Sequence, residues 1–263
     1  MNENLEKAIL ASIEAGEAIM KVYGSNEFNI EIKDDNSPLT IADKNANDVI
    51  NSYLITTRIP IISEENKQAP YSERKAWDTC WIVDPLDGTK EFIKRNGEFT
   101  VNIALVTNGK PVLGVIYVPV FKTLYFSSEN NKSYKISLDT TNVTADYILR
   151  NASEINPDSE INPPIKIVGS RSHLNDATKA FISEVENKNA VEIVSKGSSL
   201  KFCLVAEGAA HIYPRFAPTM EWDTAAGHAI CKGVGVKVID QTTQKEMQYN
   251  KADLLNNYFL VSL

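Results

Sequence analysis

The chain has 263 residues, of which 43% are hydrophobic and 23% charged, and its formal net charge is −7. This is the composition of a globular protein large enough for a substantial core, arranged as one large domain or as two lobes. The negative charge excludes the basic footprint of a nucleic-acid-binding protein, so a phosphorylated ligand would have to be attracted by metal ions or by local basic residues.

Cysteines and hydropathy indicate the compartment. Cys80, Cys203 and Cys231 are odd in number and far apart, which favours reduced thiols over a disulfide framework or a zinc site. No apolar run approaches the ~20 residues of a membrane-spanning helix, and the acidic N-terminal segment does not resemble a secretory signal. We expect a cytoplasmic protein. Peripheral attachment to the inner face of the cell membrane stays open, as does the choice between monomer and homodimer.

The N-terminal part of the chain alternates helices with short strands. Apolar residues at helical spacing predict an amphipathic helix from Leu5 to Tyr23. Alternation predicts a strand from Phe28 to Ile32, and after a polar loop Pro38–Asp43 leads into a second helix that ends near Tyr53. Asp43 lies near the start of this helix, where a carboxylate favours the positive end of the helix dipole.

Carboxylates follow two consecutive predicted strands. The first strand covers 59–62 and is followed by Glu64. The second runs from Trp81 to Asp84, because Pro85 cannot continue a hydrogen-bonded ladder. A turn then brings Asp87 close to Asp84, and Glu64 joins them if the two strands are adjacent. Carboxylates in such proximity repel each other unless a cation lies between them, and hard oxygen ligands suit Mg²⁺.

The stretch from Trp81 to Phe92, WIVDPLDGTKEF, also has features of a phosphate site. Gly88 lets the backbone approach a ligand closely, and the N–H groups of Gly88 and Thr89 would face a phosphate if a helical turn begins there. Lys90, Lys94 and Arg95 add positive charge, although a solvated surface run is an equally good interpretation. The stretch predicts a metal-assisted phosphoryl site, with an ordinary surface turn as the alternative.

A hairpin and then a second α/β unit are predicted in the rest of the chain. Asn108-Gly109 between two alternating runs predicts the hairpin, and a further strand covers 123–127. The polar stretch 128–164 marks the candidate boundary between an N-terminal α+β lobe, residues 1–160, and a C-terminal α/β lobe, residues 161–263. In the second lobe we predict the strands 165–169, 191–194, 211–213, 234–239 and 258–261 and the helices 175–186, 198–207 and 222–231.

Four stretches resemble signatures of the inositol monophosphatase superfamily, in the same order. They are Ser63-Glu64-Glu65, DPLDGTKEF from Asp84, GSSLKF from Gly197 and WDTAA from Trp222. Together they resemble the CysQ-type 3'(2'),5'-bisphosphate nucleotidase branch, over nearly the whole chain. The resemblance implies an α/β (α+β) fold, a layered α-β-α-β-α sandwich with two lobes. It also implies a lithium-sensitive hydrolase of sulfur metabolism that converts adenosine 3',5'-bisphosphate to AMP and phosphate, with the sulfated analogue as a second candidate substrate.

The resemblance assigns a two-metal mechanism in which an activated water attacks phosphorus. The implied Mg²⁺ ligands are oxygen atoms of Glu64, Asp84, Leu86, Asp87 and Asp223. Two ions share Asp84, and a weaker third is placed near Glu64, which also counts as catalytic. Asp43 and Thr89 orient the water and accept its proton, and no covalent enzyme intermediate forms. Glu65 receives no definite role.

The resemblance also places a nucleotide pocket in the C-terminal lobe. The implied substrate-binding residues are Gly88, Thr89, His173, Ser198, Lys201, Arg215 and Asp223. Ser198 and Lys201 lie three apart at the start of a predicted helix, hence on one face near its positive end. Arg215 offers a forked contact to phosphate or stacks on adenine. Taken singly, Lys201 and Arg215 are also explained as solvated surface charges, and His173 as a plain loop histidine.

Two other functions compete with the nucleotidase. An inositol or sugar monophosphatase would use the same metals. A non-catalytic nucleotide- or metal-sensing protein would catalyse no hydrolysis. Asp43 and Thr89 argue against the sensor, which needs no residues to activate water. No other nucleophile is arranged, because Cys80 lies in a buried run and the histidines form no HExxH motif.

Overall fold

The structure is a computed structural model that describes residues 3–24, 30–32, 38–128, 130–160, 162–169 and 175–263. The described elements stack in five layers, helices on both outsides and helices between two sheets. This confirms the layered α-β-α-β-α sandwich. Residues 28 and 29 of the predicted strand, the polar loop 33–37 and His173 lie outside the described residues.

The first helical layer covers the outer face of the larger sheet. It consists of α1 (Glu3–Gly24) and α2 (Ile41–Leu54), whose apolar sides are buried together with residues of that sheet. A short antiparallel ribbon of β1 (Ile30–Ile32) and β2 (Pro38–Thr40) precedes α2. Asp43 lies in the first turn of α2 and is buried, so its carboxylate faces the interior of the protein.

In the part of the chain that the structure describes, the larger sheet has seven strands arranged in chain order. They are β3 (Ile61–Ser63), β4 (Thr79–Asp87), β5 (Thr100–Thr107), β6 (Lys110–Val118), β7 (Thr123–Ser128), β8 (Lys132–Ser137) and β9 (Ser153–Ile155). β3 and β4 are parallel, and the other neighbours are antiparallel. The predicted hairpin is confirmed, with φ angles of 50° at Asn108 and 72° at Gly109.

The prediction that the second acidic strand ends at Asp84 is wrong. β4 continues through Pro85 to Asp87, and the register shifts between these two acids: Asp84 pairs with Asn102 and Asp87 with Thr100. Two residues of β4 therefore face one residue of β5, which is a β-bulge. Proline is tolerated at a bulge because the bulged residue needs no ladder hydrogen bond.

The polar stretch 128–164 contains elements that we did not predict. Besides β8 and β9 it includes α5 (Ala145–Asn151), and both strands complete the larger sheet. The two large sheets divide between β9, which ends at Ile155, and β10, which begins at Ile165. The division into lobes at residue 160 stays a prediction.

Among the described residues the smaller sheet has six strands, all of which lie within 165–262. Its strands, in spatial order, are β11 (Val191–Ser195), β10 (Ile165–Gly169), β12 (Ile212–Arg215), β15 (Phe259–Ser262), β13 (Lys237–Asp240) and β14 (Lys245–Glu246). On its outer face lies α6 (Asp176–Glu186). The described part of the chain also contains the short helices α3 (Tyr71–Arg74) and α4 (Thr89–Ile93).

The middle layer joins both sheets through α7 (Leu200–Ala206) and α8 (Ala225–Lys232). Gly114 on β6 lets α8 pack closely, because a Cβ there would lie 2.3 Å from the Ala226 carbonyl oxygen and 2.7 Å from the Ala229 Cβ. A 3₁₀ turn, Glu221–Asp223, leads into α8. The position of α8 therefore also brings Asp223 to the larger sheet.

Candidate active site

Carboxylates from three distant parts of the chain meet at one end of the larger sheet. Ligand oxygen atoms of Glu64, Asp84 and Asp223 all lie within 4.8 Å of one another. Glu64 follows β3, and its N–H donates to the Val83 carbonyl at 3.1 Å, so the parallel pairing of β3 and β4 places Glu64 beside Asp84. Asp223 arrives from the 3₁₀ turn, where its Oδ2 accepts the Met220 N–H at 2.7 Å.

The electrostatics of this cluster favour a bound cation. Asp84 is only 1% exposed, and this burial is the main reason why its pKa lies well above the usual range. The negative charges of Glu64, Asp87 and Asp223 raise the pKa of Asp84 further. Burial also raises the pKa of Asp223, and Asp87 is the next cause. A divalent cation would neutralise this mutual repulsion, and an all-oxygen set of donors fits Mg²⁺.

Asp87 lies next to the cluster but is held by other contacts. Its Oδ2 accepts the Ser199 N–H at 2.5 Å and lies 3.5 Å from the Asn102 side-chain nitrogen. Burial raises the pKa of Asp87, while the nearby Lys201 lowers it. The group of three mutually close carboxylates does not include Asp87, and its role as a ligand stays a prediction.

The turn after β4 places the other residues of the first signature. Gly88 adopts a φ of 95°, which favours glycine, and precedes the first turn of α4. The Thr89 hydroxyl lies 3.4 Å from the Leu86 carbonyl oxygen, to which it donates weakly. The charge of Asp43 contributes to the raised pKa of Asp84, which places Asp43 near the carboxylates. Direct pairing of Asp43 with Thr89 stays a prediction.

A cavity of about 430 Å³ opens beside Asp87 and Asp223, and Lys201 forms part of its wall. Lys201 is only 6% exposed, so its interpretation as a solvated surface charge is wrong. Its Nζ donates to the Ser198 carbonyl at 2.6 Å and lies 5.5 Å from the centre of the Tyr213 ring. Burial lowers the pKa of Lys201 to about 8, and the Asp87 carboxylate opposes this effect.

Arg215 lines the same cavity at the end of β12. One of its terminal nitrogens donates to the Pro218 carbonyl at 3.2 Å. Its Nε is buried and has no hydrogen-bond partner among the described residues. Buried polar groups are nearly always paired, so this unpaired Nε is unusual, and the Arg215 side chain adds positive charge to the cavity wall.

The family model that describes the inositol monophosphatase family matches residues 1–262. The chain belongs to this family. A relative from Salmonella typhimurium, the 3'(2'),5'-bisphosphate nucleotidase CysQ, is 44% identical over 98% of this chain and 99% of its own length. The CysQ nucleotidase of Escherichia coli K12 is 44% identical over 95% of each chain.

Solved structures of the family share the fold. CysQ from Bacteroides thetaiotaomicron is 49% identical, has a TM-score of 0.89 and aligns over 100% of this chain and 97% of its own. An inositol monophosphatase of Thermotoga maritima, at 24% identity, has a TM-score of 0.75 over 98% of this chain and 91% of its own, which supports the fold alone. The family is metal-dependent, in agreement with the acidic cluster. Among the described residues, no helix is both long and apolar enough to span a membrane.

Several family signature residues are arranged differently from the prediction. The predicted helix 198–207 begins only at Leu200, and Ser198 precedes it with a φ of 44°. Ser198 and Lys201 therefore meet through a backbone carbonyl rather than on one helical face. Lys90 and Lys94 line the cavity, whereas Arg95 donates to the Tyr23 carbonyl at 2.7 Å. His173 lies outside the described residues.

Sequence reasoning missed the buried polar residues that support Asp87. Ser199 Oγ donates to the Asn102 Oδ1 at 2.7 Å and lies 2.8 Å from the Thr100 hydroxyl. These contacts connect β5 with the start of α7. A signal was present in the sequence, because Thr100 and Asn102 are polar residues on a strand that is otherwise strongly apolar.

The cysteine thiols are unsuited to nucleophilic chemistry. The three cysteines are free and buried. Burial raises the pKa of Cys80 to about 12, so its reactive thiolate form is suppressed at neutral pH. This agrees with the interpretation of Cys80 as a structural residue.

Proposed function

We propose that this protein is a Mg²⁺-dependent 3'(2'),5'-bisphosphate nucleotidase that hydrolyses the 3'-phosphate of adenosine 3',5'-bisphosphate to AMP and phosphate. The observation that carries the proposal is the cavity with two buried or half-buried cations, Lys201 and Arg215, beside clustered carboxylates. The sulfated analogue, which would yield the corresponding adenosine 5'-phosphosulfate, is a second candidate substrate. Relatives that are named as nucleotidases and align over nearly the full length support the same activity.

The residues that would hold magnesium are those of the acidic cluster and its neighbours. They are Glu64, Asp84, Asp87, Asp223 and the carbonyl of Leu86. We propose that these residues would hold two ions, with a weaker third near Glu64. When bound, the ions lower the pKa of a coordinated water and neutralise the phosphate and leaving-group charges.

The protein's own residues orient the nucleophile. Thr89 and Asp43 together position the attacking water, and the Asp43 carboxylate accepts its proton, since it is buried near the carboxylate cluster. Gly88 leaves space for the substrate phosphate at the start of α4. Hydrolysis then proceeds by direct displacement at phosphorus, without a covalent bond between protein and substrate.

The nucleotide part of the substrate occupies the cavity. The second phosphate binds between the Lys201 ammonium and the Arg215 guanidinium, which line the same cavity, because charge-assisted hydrogen bonds are the strong ones in proteins. Ser198 contributes to the same wall, and we keep His173 as a proposed contact. An anionic group here also favours the charged form of Lys201, whose pKa burial otherwise lowers.

An inositol or sugar monophosphatase is the nearest alternative. Such a substrate has no second phosphate, so it would offer no anionic group to the Lys201 and Arg215 side chains of the cavity wall. A sensor without catalysis would have no need of Thr89 and Asp43. The experiment is phosphate release by the purified protein with Mg²⁺, comparing adenosine 3',5'-bisphosphate with inositol 1-phosphate at equal concentration.

We expect efficient release only from the nucleotide, loss of activity with a chelator, and inhibition by lithium at low millimolar concentrations. Preference for inositol phosphate would support the monophosphatase, and no release from either substrate would support the sensor. We also propose a cytoplasmic location, supported by three free, buried thiols that are typical of a reducing compartment.

A further inference from the structure

A buried polar cluster lies directly behind the metal ligand Asp223. We call it the Glu221 cluster, and it consists of Arg74, Glu221, Asn250, Lys251 and Asn256. Glu221 is the first residue of the 3₁₀ turn that ends at Asp223, and its side chain is 0% exposed. A carboxylate so deeply buried must be paired to be tolerated, and neither the proposed metal site nor the nucleotide cavity accounts for it.

Three donors satisfy the Glu221 carboxylate. The backbone N–H groups of Asn250 and Lys251 donate to it at 2.5 Å and 3.0 Å, and the Lys251 ammonium donates at 2.5 Å. Burial raises the pKa of Glu221, and Lys251 is the first of the groups that lower it again. Glu221 and Lys251 therefore form a hydrogen-bonded ion pair in which the carboxylate is buried and the lysine side chain is 33% exposed.

The same cluster holds the backbone on both sides of Asp223. Asn256 donates through its side-chain nitrogen to the Met220 carbonyl at 2.7 Å and to the Thr224 hydroxyl at 3.1 Å. The Lys251 ammonium lies 3.2 Å from the Asn256 side-chain oxygen, to which it donates. Residues before and after the ligand are thus attached to one chain segment, 250–256.

Arg74 connects this segment to the part of the chain that follows Glu64. Its guanidinium donates to the Asn250 side chain at 2.7 Å and to the Lys251 carbonyl at 3.0 Å. The Asn250 side chain donates back to the Arg74 carbonyl at 2.9 Å. The segment 250–256 is therefore attached to α3, the short helix between β3 and β4.

We propose that Glu221 and Lys251 are positioning residues that set the affinity of the ion held by Asp223. Packing alone does not explain the pair, because well-packed apolar residues often stabilise a protein as well as a buried ion pair does. The hydrogen bonds of the pair instead orient the turn whose backbone carries the metal ligand Asp223. Groups behind metal ligands affect metal affinity by roughly 10- to 100-fold. The inference rests on the proposed metal site and does not depend on the substrate.

The test measures Mg²⁺ binding without substrate. We would follow the rise in thermal unfolding temperature as Mg²⁺ is added to chelator-treated protein, for wild type and for Glu221→Gln. The amide has the same shape but presents an N–H₂ group to donors, so the turn should relax. We expect the Mg²⁺ concentration at half-effect to rise roughly tenfold, and lost turnover to be partly restored by high Mg²⁺.

The matched control is Glu207→Gln. Glu207 also accepts from a lysine, Lys135 at 2.7 Å, and from the Tyr125 hydroxyl at 3.1 Å, but it lies at the end of α7 opposite to the proposed site. Glu207→Gln should lower the unfolding temperature and leave the Mg²⁺ concentration at half-effect unchanged. Lys251→Met, with Lys135→Met as its own control, repeats the comparison while keeping the carboxylate.

The variants and their controls distinguish an effect on Mg²⁺ affinity from a general effect on stability. A Mg²⁺ half-effect that is unchanged in Glu221→Gln and Lys251→Met overturns the proposal, as does an equal shift in the Glu207 and Lys135 controls. If Glu221→Gln does not fold, the result with Lys251→Met decides. A wild-type protein that binds Mg²⁺ but does not hydrolyse the bisphosphate would contradict the proposed substrate only, whereas a wild-type protein that binds no Mg²⁺ would contradict both proposals.

Discussion

Lys201 combines a charge with almost complete burial, which is costly unless an anion compensates it. Two anions are available, the Asp87 carboxylate in the protein and the second phosphate of the proposed substrate. Asp87 already raises the pKa of Lys201, yet burial still lowers that pKa to about 8. Because the pKa of Lys201 stays below the usual value of a lysine, the cost of burying the ammonium is incompletely compensated until a ligand binds.

Lys201→Ala should therefore impair use of adenosine 3',5'-bisphosphate, mainly through KM. A charge-assisted contact contributes ~1.5–3 kcal/mol, so we expect kcat/KM to fall roughly 10- to 100-fold. Hydrolysis of 3'-AMP, which has no second phosphate, should be much less affected. The measurement is steady-state phosphate release with both substrates, and equal losses on both would mean that Lys201 serves Asp87 rather than the nucleotide.

Asp87 can be tested with little disturbance of its surroundings. In wild type the Asp87 carboxylate accepts the Ser199 N–H at 2.5 Å. The amide oxygen of Asp87→Asn can still accept this N–H, so the fold should be retained. If Asp87 and Asp223 hold an ion that stabilises the leaving group, turnover should fall at least about a hundredfold, as when other groups that stabilise transition-state charge are removed.

The Asp87→Asn measurement is phosphate release at saturating Mg²⁺, with circular dichroism to confirm the fold. The control is Glu98→Gln. Glu98 is a buried carboxylate that accepts the Gly197 N–H at 2.9 Å but does not belong to the acidic cluster. Asn102→Asp would be unsuitable because it adds a charge. Glu98→Gln should retain more activity than Asp87→Asn. Substantial turnover by Asp87→Asn would remove Asp87 from the metal site.

At the scale of elements, local signals were predictable and non-local support was not. The α1 helix and the hairpin at Asn108 follow from periodicity and turn chemistry within a few residues. The bulge in β4 depends on its register against β5, which the sequence of β4 alone does not specify. Likewise, the contacts of Ser199 with Thr100 and Asn102 span almost a hundred positions, so only the fold brings them together.

The unpredicted elements in 128–164 have a different cause. β9 is the edge strand of the larger sheet and β8 is its neighbour, and both have several exposed or half-exposed side chains, so the sequence is correspondingly polar. Edge strands and short surface helices lack the continuous apolar pattern by which buried elements are recognised. Polar composition alone therefore indicated a boundary where the structure has part of the sheet.

The close approach of α8 to β6 gives a prediction for a single methyl group. In Gly114→Ala the added Cβ would lie 2.3 Å from the Ala226 carbonyl oxygen, which is backbone and can yield only if α8 moves. Overpacking of this kind typically costs about 1–3 kcal/mol of unfolding free energy. Because Asp223 immediately precedes α8, the Mg²⁺ half-effect should rise as well.

Urea denaturation and the Mg²⁺-dependent thermal shift measure these two effects. The matched control is Gly24→Ala at the end of α1, where nothing lies within 4 Å of the added Cβ. It should be neutral or slightly stabilising, since alanine is the better helix former. A Gly114→Ala protein with wild-type stability would show that α8 can shift freely, and that its packing does not determine the position of Asp223.

At the scale of the whole molecule, α7 and α8 join the two sheets into a continuous buried core. Glu64, Asp84 and Asp223 reach one place because β3 and β4 are parallel neighbours and because α8 is packed against β6. The sequence signatures include these three residues, whereas their convergence depends on this shared core. The same core contains a titratable group with no part in the proposed reaction, His228 on α8.

His228 is buried between the sheets, and its Nδ1 lies 3.0 Å from the Tyr249 hydroxyl. Burial lowers the pKa of His228 to about 3, with a smaller contribution from Lys232. In the unfolded chain the pKa returns to about 6.5, so between these values the unfolded state binds the proton that the folded state excludes. The contribution of neutral His228 to stability is therefore complete above pH ~6.5 and is lost progressively as the pH falls towards 3.

We expect wild type to lose about 2 kcal/mol of unfolding free energy through His228 between pH 7.5 and pH 5, since each pH unit below the unfolded pKa contributes up to ~1.4 kcal/mol. His228→Gln, which cannot titrate, should have a flatter pH dependence by that amount. The measurement is urea denaturation at both pH values with a chelator present, so that the carboxylates contribute equally in each protein. Tyr249→Phe removes the same hydrogen bond but leaves the imidazole in place, and it should lower stability at both pH values while keeping the wild-type slope. Identical slopes for wild type and His228→Gln would show that His228 accepts a proton in the folded protein as readily as in the unfolded chain.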